Sequence, residues 1–515
     1  MKEFRQAGNM AFETKKFNLI PTNQDELSDI SYRYEPISLK NVICKKTADK
    51  ALIATRPECR FGVSVPPFFT AGTDPCFIDT FNSSAFFNIG DDLFYITSPI
   101  STPIKIGSSN DYQQYAHCIG AFADISGTEN FFVKLGGNDE ISYFDKSYSG
   151  VTNLSTGVGG TNAGILFNFD NYLLSYTEED DSFFYSAVGN PLSWSALDFI
   201  NVNRMVSIQP LDDKIYVGTK DKIIAFYNDG ETPFVRYQGF QIDNSVHSMN
   251  MMCTDGNNLY FLDKTGRLCV ANGSDYVVLN KRYITDYLNV LNIFEGAGLS
   301  RIVNLEYKEL FGKKYIIFST KSSVYNILVY DIELNCVYKW ILSRSDRNLP
   351  GSFITKIENN GPNIITIDSI SSGINFSVNY MIDPSVDPDV GAGYDEVGGL
   401  KVPYDQVVDF GYNDYGTQRR KMSRRIHITC DPWGCAGSED GTMSLLYKDS
   451  SYESSYSAIQ NFILEKTSSE VDPDQKFEAR ALGSYIRRSY RISADDEFTR
   501  LMITDIEEEI EILGS

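Results

Sequence analysis

The sequence predicts an all-β protein: a β-propeller of about five to seven blades, followed by a C-terminal β-sandwich-like domain. Three observations support this prediction. Short apolar segments recur from about residue 40 to residue 382. The stretches between them are rich in Gly, Asp and Asn, which let a strand reverse within a few residues. The chain also holds 32 Tyr and 33 Phe, residue types that suit the pleated and half-buried surface of a strand.

The clearest succession of strands and turns lies between residues 183 and 291. Its turns are Asn228-Asp229-Gly230, Asp255-Gly256-Asn257, Lys264-Thr265-Gly266 and Asn272-Gly273. Its predicted strands are Lys214–Gly218, Lys222–Tyr227, Met249–Cys253, Asn258–Leu262, Leu268–Ala271 and Tyr276–Leu279. Consecutive hairpins of this kind build blades of about four strands each, and we find no strict sequence period of the WD40 type.

Similar segments lie on both sides of this stretch. The earlier ones are Leu93–Thr97, Phe131–Leu135, Ile141–Asp145, Gly164–Phe169, Tyr172–Tyr176 and Phe183–Ala187. The later ones are Ile302–Tyr307, Lys314–Phe318, Val324–Tyr330, Val337–Leu342, Phe353–Glu358, Ile364–Asp368 and Asn375–Met381. One segment, Arg282–Phe294, has the helical period instead, which predicts a helix packed between blades.

Composition divides the chain into four parts. Residues 1–39 are polar and form an N-terminal arm, either flexible or ordered as a strand on a later blade or a neighbouring subunit. In the second case Phe17–Pro21 would anchor it. Residues 40–382 form the propeller, and residues 401–515 form the C-terminal β domain. Residues 383–400 are rich in Pro, Gly and Asp, which break helix and strand, and this predicts an acidic linker.

The C-terminal domain begins a second set of predicted strands. They are Arg425–Cys430, Thr442–Lys448, Ala458–Leu464, Tyr485–Ser493 and Glu497–Ile512. Side chains alternate between the two faces of a strand. In the last strand this places Glu507, Glu509 and Glu511 on one face, and Ile506, Ile510 and Ile512 on the other, where Glu508 also falls.

The formal net charge is −22 and the sequence pI is about 4.6. Such acidity argues against a free nucleic-acid-binding protein, and it is compatible with high solubility or with a surface past which DNA moves without sticking. One strong basic cluster contrasts with it: Arg419, Arg420, Lys421, Arg424 and Arg425. These residues either contact phosphates or pair with carboxylates, and we favour the second interpretation, which makes them a candidate subunit interface.

Sequence motifs of catalysis are lacking, and we predict no enzyme activity, no cofactor and no metal. The chain has three His, and no known catalytic motif occurs in a usable context. His427, Cys430 and Cys435 supply three potential metal ligands, whereas structural zinc takes four. Runs of acidic residues are interpreted as solvated turns. The nine Cys are odd in number and irregularly spaced, which predicts free thiols. Neither a signal peptide nor a transmembrane segment is predicted.

A longer pattern resembles a known family. It begins as Ser-x-x-Gly-Asn-Pro-x-x-Trp-x-x-x-Asp-Phe at Ser186–Phe199, and continues through Lys220–Tyr227 and Thr232–Arg236. This order resembles the tail hub or nozzle proteins of short-tailed bacteriophages, also called packaged-DNA stabilisation proteins. The end of the chain is similar to theirs as well, with Leu482-Gly483, Arg487, Arg488 and Arg491 before the acidic strand Ile506–Ile512.

The resemblance implies a structural protein of the virion tail, made in the bacterial host cytoplasm. It implies a ring of about six copies below the portal and connector (adaptor) proteins. Such a ring extends the DNA exit tube, retains the packaged genome and docks a tail needle, fibres or spikes. Double-stranded DNA passes through the lumen without specific binding. Glu507, Glu509 and Glu511 are candidates for the tube lining, the alternative being that their face is simply outer solvent surface.

Two rival functions stay open. One is a propeller enzyme that acts on carbohydrates, of sialidase or lyase type. The other is a cell-surface or secreted adhesin that binds carbohydrates. The lack of a His, Tyr or Arg constellation with a known spacing argues against the enzyme, and the missing signal peptide argues against the adhesin.

Overall fold

The structure is a computed structural model. It describes residues 12–20, 36–46, 51–61, 75–81, 84–89, 92–97, 104–108, 120–134, 140–156, 165–176, 181–248, 250–279, 302–320, 327–341, 351–356, 362–370, 373–382, 394–397, 400–415, 417–431, 440–449, 453, 455–465, 474–496 and 498–513. Every helix or strand assigned within these residues is a strand, which confirms the all-β prediction.

The first third of the chain supplies thirteen strands. They are β1 (Glu13–Lys16), β2 (Pro36–Lys40), β3 (Val42–Lys46), β4 (Ala51–Thr55), β5 (Glu58–Phe61), β6 (Pro75–Phe81), β7 (Ser84–Ile89), β8 (Asp92–Ile96), β9 (Ile104–Ser108), β10 (Ala121–Ile125), β11 (Thr128–Val133), β12 (Glu140–Asp145) and β13 (Thr152–Ser155).

The middle of the chain supplies fourteen more. They are β14 (Ile165–Phe169), β15 (Tyr172–Tyr176), β16 (Ser182–Ala187), β17 (Asn190–Asn201), β18 (Met205–Leu211), β19 (Lys214–Thr219), β20 (Ile223–Tyr227), β21 (Val235–Ile242), β22 (Met252–Thr254), β23 (Leu259–Leu262), β24 (Leu268–Asn272), β25 (Asp275–Leu279), β26 (Ile302–Leu310) and β27 (Lys313–Thr320).

The last part supplies fourteen. They are β28 (Ile327–Asp331), β29 (Cys336–Trp340), β30 (Gly351–Lys356), β31 (Pro362–Ile370), β32 (Gly373–Ile382), β33 (Tyr394–Val397), β34 (Leu400–Pro403), β35 (Gln406–Phe410), β36 (Lys421–Cys430), β37 (Gly441–Lys448), β38 (Ser457–Leu464), β39 (Gln475–Tyr485), β40 (Ser489–Ala494) and β41 (Met502–Ile512).

The chain forms two compact units. The first unit combines residues 1–60, 329–345 and 382–515, and the second combines residues 61–328 and 346–381. This division differs from the predicted boundary at residue 40, because β2, β3 and β4 belong to the first unit together with the C-terminal strands. The reason is long-range strand pairing: β2 pairs with β35, and β4 pairs with β41.

The second unit is built from the sheets of a propeller. It contains five complete antiparallel sheets of four strands in chain order: β6–β9, β10–β13, β14–β17, β18–β21 and β22–β25. The hairpin β26–β27 and the antiparallel strands β30–β32 follow. First strands of consecutive sheets lie side by side, as in β10 beside β14 and β22 beside β26. This arrangement is that of propeller blades.

The apolar cores lie between consecutive sheets. Phe86 of β7 packs with Phe131 and Phe144 of the next sheet, with ring centroids 5.4 and 5.0 Å apart. A second core joins sheets β10–β13 and β14–β17, and a third joins β14–β17 and β18–β21. The abundance of Phe and Tyr is therefore used to fill the spaces between blades.

Asp side chains shape several of the tight turns. The Asp229 carboxylate accepts hydrogen bonds from the backbone N–H groups of Glu231 (2.9 Å) and Thr232 (2.6 Å). Gly230, which follows Asp229, has φ of 86°, a conformation that only Gly adopts without strain. The predicted turn Asn228-Asp229-Gly230 thus forms by local hydrogen bonding.

Apart from β5, β33 and β34, which belong to a third sheet, the described strands of the first unit lie in two sheets. One has the order β3, β4, β41, β36, β39, with β1 also pairing with β41, and the other includes β29, β2, β35, β40, β37 and β38 in that order. Phe17 packs against Phe410 and Tyr490 with ring centroids 5.2 and 6.0 Å apart, and all three rings are buried. The predicted anchor Phe17–Pro21 thus follows an ordered strand, β1, whose partner is β41.

Part of the predicted acidic linker is a hairpin. β33 pairs antiparallel with β34, so the prediction of an irregular segment is wrong for residues 394–397 and for residue 400. Asp395 is fully buried and forms an ion pair with Arg56 at 2.7 Å, which compensates its charge. Residues 383–393 and the predicted helix Arg282–Phe294 lie outside the described residues.

Candidate assembly surface

β36, β39 and β41 form three adjacent strands at the C-terminal end of the chain. Their register places Arg425 of β36 between Arg480 of β39 and Glu509 of β41. Arg425 forms an ion pair with Glu509 at 2.5 Å and a longer one with Glu478 at 3.9 Å. Arg480 contacts the same Glu478 at 2.6 Å, and this hydrogen bond lowers the pKa of Glu478. Charged side chains therefore cross the sheet as a connected row.

A groove of about 680 Å³ opens on this side of the sheet. We call it the arginine groove, and it is lined by Met422, Ser423, Arg424, Arg425, Glu478, Arg480, Gly483 and Glu509. Met422 is 36% exposed, so the groove offers apolar as well as charged surface. Gly483 of β39 has φ of 79°, pairs with Ser423 and adds no side chain to the groove.

The predicted basic cluster divides between surface and interior. Arg419, Arg420, Arg424 and Arg425 are exposed. The Arg424 guanidinium lies 3.5 Å from the centroid of the Phe12 ring, an exposed cation–π contact. Among the ion pairs of the described residues, none involves Arg419 or Arg420. Four of the five candidates are thus placed where a partner can reach them.

Lys421 is the exception. It is fully buried, and its ammonium donates hydrogen bonds to the backbone carbonyls of Thr417, Arg419 and Ile486 at 2.5 to 2.9 Å. Burial lowers its pKa. These hydrogen bonds fix the segment before β36. The cluster prediction expected Lys421 to offer its charge to a second subunit, and this expectation is wrong because the ammonium is buried.

The three glutamates proposed to line a DNA tube lie on the face that the alternation predicts. Ile506, Glu508 and Ile510 point into the unit and are buried. On the other face Glu507 and Glu509 are partly exposed, and Glu509 already pairs with Arg425. Glu511 is only 6% exposed. The role of this face as a tube lining stays a prediction, for which Glu507 and Glu509 are the accessible members.

Glu508 is the unexpected member of this strand. Its carboxylate accepts hydrogen bonds from the hydroxyls of Tyr490 (2.6 Å), Tyr485 (3.0 Å) and Tyr415. Burial raises the pKa of Glu508, and the hydrogen bonds from the tyrosines oppose this shift. The alternation of β41 already places Glu508 among apolar residues, but the three tyrosines come from segments that only the fold brings together.

Arg488 belongs to the C-terminal pattern of the family resemblance. It is 2% exposed and binds the Asp449 carboxylate through two nitrogens at 2.6 and 2.8 Å. Its guanidinium also lies 4.3 Å from the ring centroid of Tyr485. The chain bends between β39 and β40 at this point, so the predicted single strand Tyr485–Ser493 is wrong. A buried Arg needs carbonyl and carboxylate partners on several sides, and here they are Asp449 and the Leu482 carbonyl, which accepts a hydrogen bond at 2.7 Å.

The Ser186–Phe199 motif forms an edge strand with two bulges. At the first bulge, residues 195–198 of β17 lie opposite a single residue of β16, Tyr185. A second register shift lies between Ser186 and Ala187 of β16. Gly189 has φ of 65° in the turn, and the Trp194 indole donates a hydrogen bond to the carbonyl of Pro191 at 2.8 Å. The first bulge leaves Leu197 84% exposed. Each Gly, Asn, Pro and Trp of this pattern therefore has a local structural role.

The potential metal ligands do not form a site among the described residues. Cys430 is buried, Cys435 lies outside those residues, and no group of three His, Cys, Asp or Glu side chains is arranged to hold a metal ion within them. The side chains of Cys44, Cys253, Cys269, Cys336 and Cys430 are buried. In the part of the chain that the structure covers, no helix is long and apolar enough to span a membrane.

Comparison with known proteins gives similarity of fold alone. No protein family matches the sequence, and no curated protein matches it. A chain of the mitotic checkpoint complex has 9% identity and a TM-score of 0.39, over 61% of this chain and 92% of that one. The WD40 β-propeller domain of Doa1 has 11% identity and a TM-score of 0.38, over 62% and 97%. KlHsv2 with loop 6CD replaced by a Gly-Ser linker has 10% identity and a TM-score of 0.36, over 61% and 99%. The propeller assignment itself depends on the sheets described above.

Proposed function

We propose that this chain is a structural, non-enzymatic protein of a bacteriophage tail. In this proposal about six copies form a ring below the portal and connector, as a tail hub or nozzle. The ring extends the DNA exit tube, retains the packaged genome and docks the needle, fibres or spikes. The protein is made in the host cytoplasm and ends in the virion.

One observation carries the proposal: the pattern at Ser186–Phe199 that resembles the hub family. It forms β17, an edge strand of a propeller sheet, with Leu197 84% exposed on a bulge. Leu197 is therefore accessible to a second protein. The C-terminal part of the same resemblance supplies Arg488, which helps to hold the first unit together.

The charge of the chain also agrees with this role. At −22 per copy, a ring presents a strongly negative field to a duplex passing through it. DNA phosphates are repelled by such a field, so the wall adds little friction while the genome leaves. The exposed arginines Arg419, Arg420 and Arg424 are then available for contacts between proteins.

The test is the location of the chain in assembled particles. The genes next to its own should encode portal, terminase and capsid proteins, and purified particles should contain the chain at the tail. Removing it from the phage should leave heads that form but lose their DNA. If the chain is missing from purified particles, or if it releases sugars from polysaccharides, the proposal is wrong and the enzyme alternative gains support.

A further inference from the structure

We propose that the arginine groove of one copy docks on a carboxylate-rich face of the propeller of a second copy. This inference rests on the proposed ring, and it names the two surfaces that meet in it. The first surface is the groove with its flanking residues Arg419 and Arg420. The second, which we call the turn face, consists of the turns at one end of the sheets β10–β13, β14–β17 and β18–β21.

The groove has the composition of a protein-binding surface. Its exposed cations and those beside it are all arginines: Arg419, Arg420, Arg424, Arg425 and Arg480. Arginine is enriched at protein interfaces and binds carboxylates through two parallel hydrogen bonds, whereas lysine is depleted there. Glu478 and Glu509 neutralise part of this charge, and an excess of positive charge stays at the surface.

The turns of the second surface lie together. In an antiparallel sheet of four strands, the first and third turns are at the same end. The N–H of Gly189, in the third turn of its sheet, donates to the carbonyl of Asn171 in the first turn at 2.8 Å. The Asn228 amide reaches from the third turn of the following sheet to the Asp170 carboxylate. These hydrogen bonds make one continuous face from two sheets.

The turn face is acidic and also exposes one large apolar side chain. Val188, at the tip of the turn between β16 and β17, is 62% exposed. The exposed acidic residues of the turn face are Asp124, Asp170, Asp212, Asp213, Asp229 and Glu231. Of these, Asp213 pairs with Lys214. Asp124 and Asp229 also cap their own turns, so their positions are set locally while their charges face the solvent.

The two surfaces complement each other in charge and in apolar contact. Carboxylates of the turn face match the guanidinium groups of the groove, and Val188 matches the exposed Met422. A DNA backbone offers anionic groups but no apolar contact, so the pairing favours a second copy over nucleic acid. Since groove and turn face are different surfaces, their contact is head-to-tail, the type that closes into a ring.

The experiment uses the purified full-length chain and measures self-association by sedimentation velocity at physiological salt. One variant, Arg420→Glu with Arg424→Glu, reverses the groove. A second, Asp213→Lys with Glu231→Lys, reverses the turn face. A third carries all four changes. Arg204→Glu is the matched control, because Arg204 is 58% exposed beside Asp221, outside both surfaces. Circular dichroism verifies that each variant is folded.

We expect the wild type and the control to associate, and each reversed variant to associate at least about tenfold more weakly. Mixing the two reversed variants pairs the intact groove with the intact turn face, and the reversed groove with the reversed turn face, so the mixture should associate although neither variant does so alone. The four-change variant should associate again, because its charges are exchanged between the two surfaces.

Three results would overturn the inference. They are a wild type that stays monomeric at its highest soluble concentration, a groove variant that associates like the wild type, and a four-change variant that stays monomeric. A short duplex that binds the wild type and is released by the groove reversal, with association unchanged, would assign the groove to nucleic acid instead. If the chain is found in the tail but its self-association is unchanged by these substitutions, the proposed function stands and only this inference is wrong.

Discussion

At the scale of single residues, the first unit is unusual for the charges it buries. Glu508 lies in the interior and is held by three tyrosine hydroxyls. Arg56 and Asp395 form an ion pair in which both side chains are at most 1% exposed. Such groups are expensive to bury, and they are stable only when every partner is in place. Both sites therefore give sharp predictions.

The first prediction concerns pH. Burial raises the pKa of Glu508 above its ordinary value of 4.5, so the folded chain binds the proton more tightly than the unfolded chain does. The stability that this group contributes is therefore present at low pH and is lost as the pH rises from about 4.5 through the raised pKa. In Glu508→Gln the group no longer titrates. We expect hydrogen exchange of the β41 amides to accelerate less with rising pH, after correction for intrinsic exchange, in this variant than in the wild type.

Glu507→Gln is the matched control, because Glu507 is the neighbouring and partly exposed residue of the same strand. It should keep the pH dependence of the wild type. If Glu508→Gln and the wild type show the same change in protection across this pH range, Glu508 does not carry the expected linkage.

The second prediction concerns Arg56. Its guanidinium donates to Asp395 at 2.7 and 3.0 Å, to Asn41 at 3.0 Å and to the Ile341 carbonyl at 2.9 Å. Arg56→Met leaves the Asp395 charge buried without its partner, which costs about 3–5 kcal/mol. In pulse proteolysis, we expect the first unit of this variant to be cleaved at a much lower urea concentration than the first unit of the wild type. Arg56→Met combined with Asp395→Leu removes both charges and should recover most of the loss, and an unchanged single variant would contradict this account.

At the scale of elements, β17 combines a packing role with an exposed one. Leu192 and Trp194 pack against the core between sheets β10–β13 and β14–β17. Leu197 on the bulge that follows is 84% exposed. The strand therefore uses Leu192 and Trp194 to join two blades and presents Leu197 to the solvent. This division explains why an edge strand of 12 residues keeps two register shifts.

The third prediction separates these two roles. Trp194→Ala removes packing and the hydrogen bond to Pro191, and we expect a loss of about 2 kcal/mol, below the value for a fully buried Trp. Leu197→Ala should change stability by less than about 0.5 kcal/mol, because its side chain is mostly in water. Urea unfolding followed by circular dichroism measures both. Equal losses in the two variants would mean that the second half of β17 is not a free surface.

At the scale of the whole molecule, net charge is the main physical property. A chain of −22 repels a duplex, and a ring multiplies this charge. At physiological salt the screening length is about 8 Å, so the repulsion acts only on DNA close to the wall. In the proposed tube, repulsion of this range would keep the duplex from the wall without slowing it.

The fourth prediction follows from this repulsion. The purified chain should show no tight duplex binding at physiological salt, and sub-micromolar binding would contradict a repulsive tube. In assembled particles Glu507→Lys should slow DNA release, because it adds attraction at each step along the duplex. The single change is preferred to changing Glu509 or Glu511, since Glu509 pairs with Arg425 and Glu511 is buried. Unchanged release would remove Glu507 from the lining.

Local features of the sequence predict much of the fold. Strands such as Tyr172–Tyr176 and Lys214–Thr219 are recognised because short runs of aromatic and aliphatic residues are bounded by turns within a few positions. The same holds for the outward face of β41, where alternation separates Glu507 from Ile506. The turn residues Asn228-Asp229-Gly230 are recognised because their hydrogen bonds are local. The sequence by itself therefore determines the all-β class, the hairpins and the faces of single strands.

Only the tertiary structure decides what depends on residues far apart in the chain. β4 joins β41 across more than 400 residues, which moves the N-terminal strands into the first unit. Lys421 is buried although exposed arginines lie next to it in sequence, and one of its three carbonyl partners, that of Ile486, is 65 residues away in the chain. Asp395 lies in a stretch with the composition of a linker and is buried because Arg56 reaches it. In each case the free energy comes from a partner that no local pattern contains, so periodicity and composition do not reveal it.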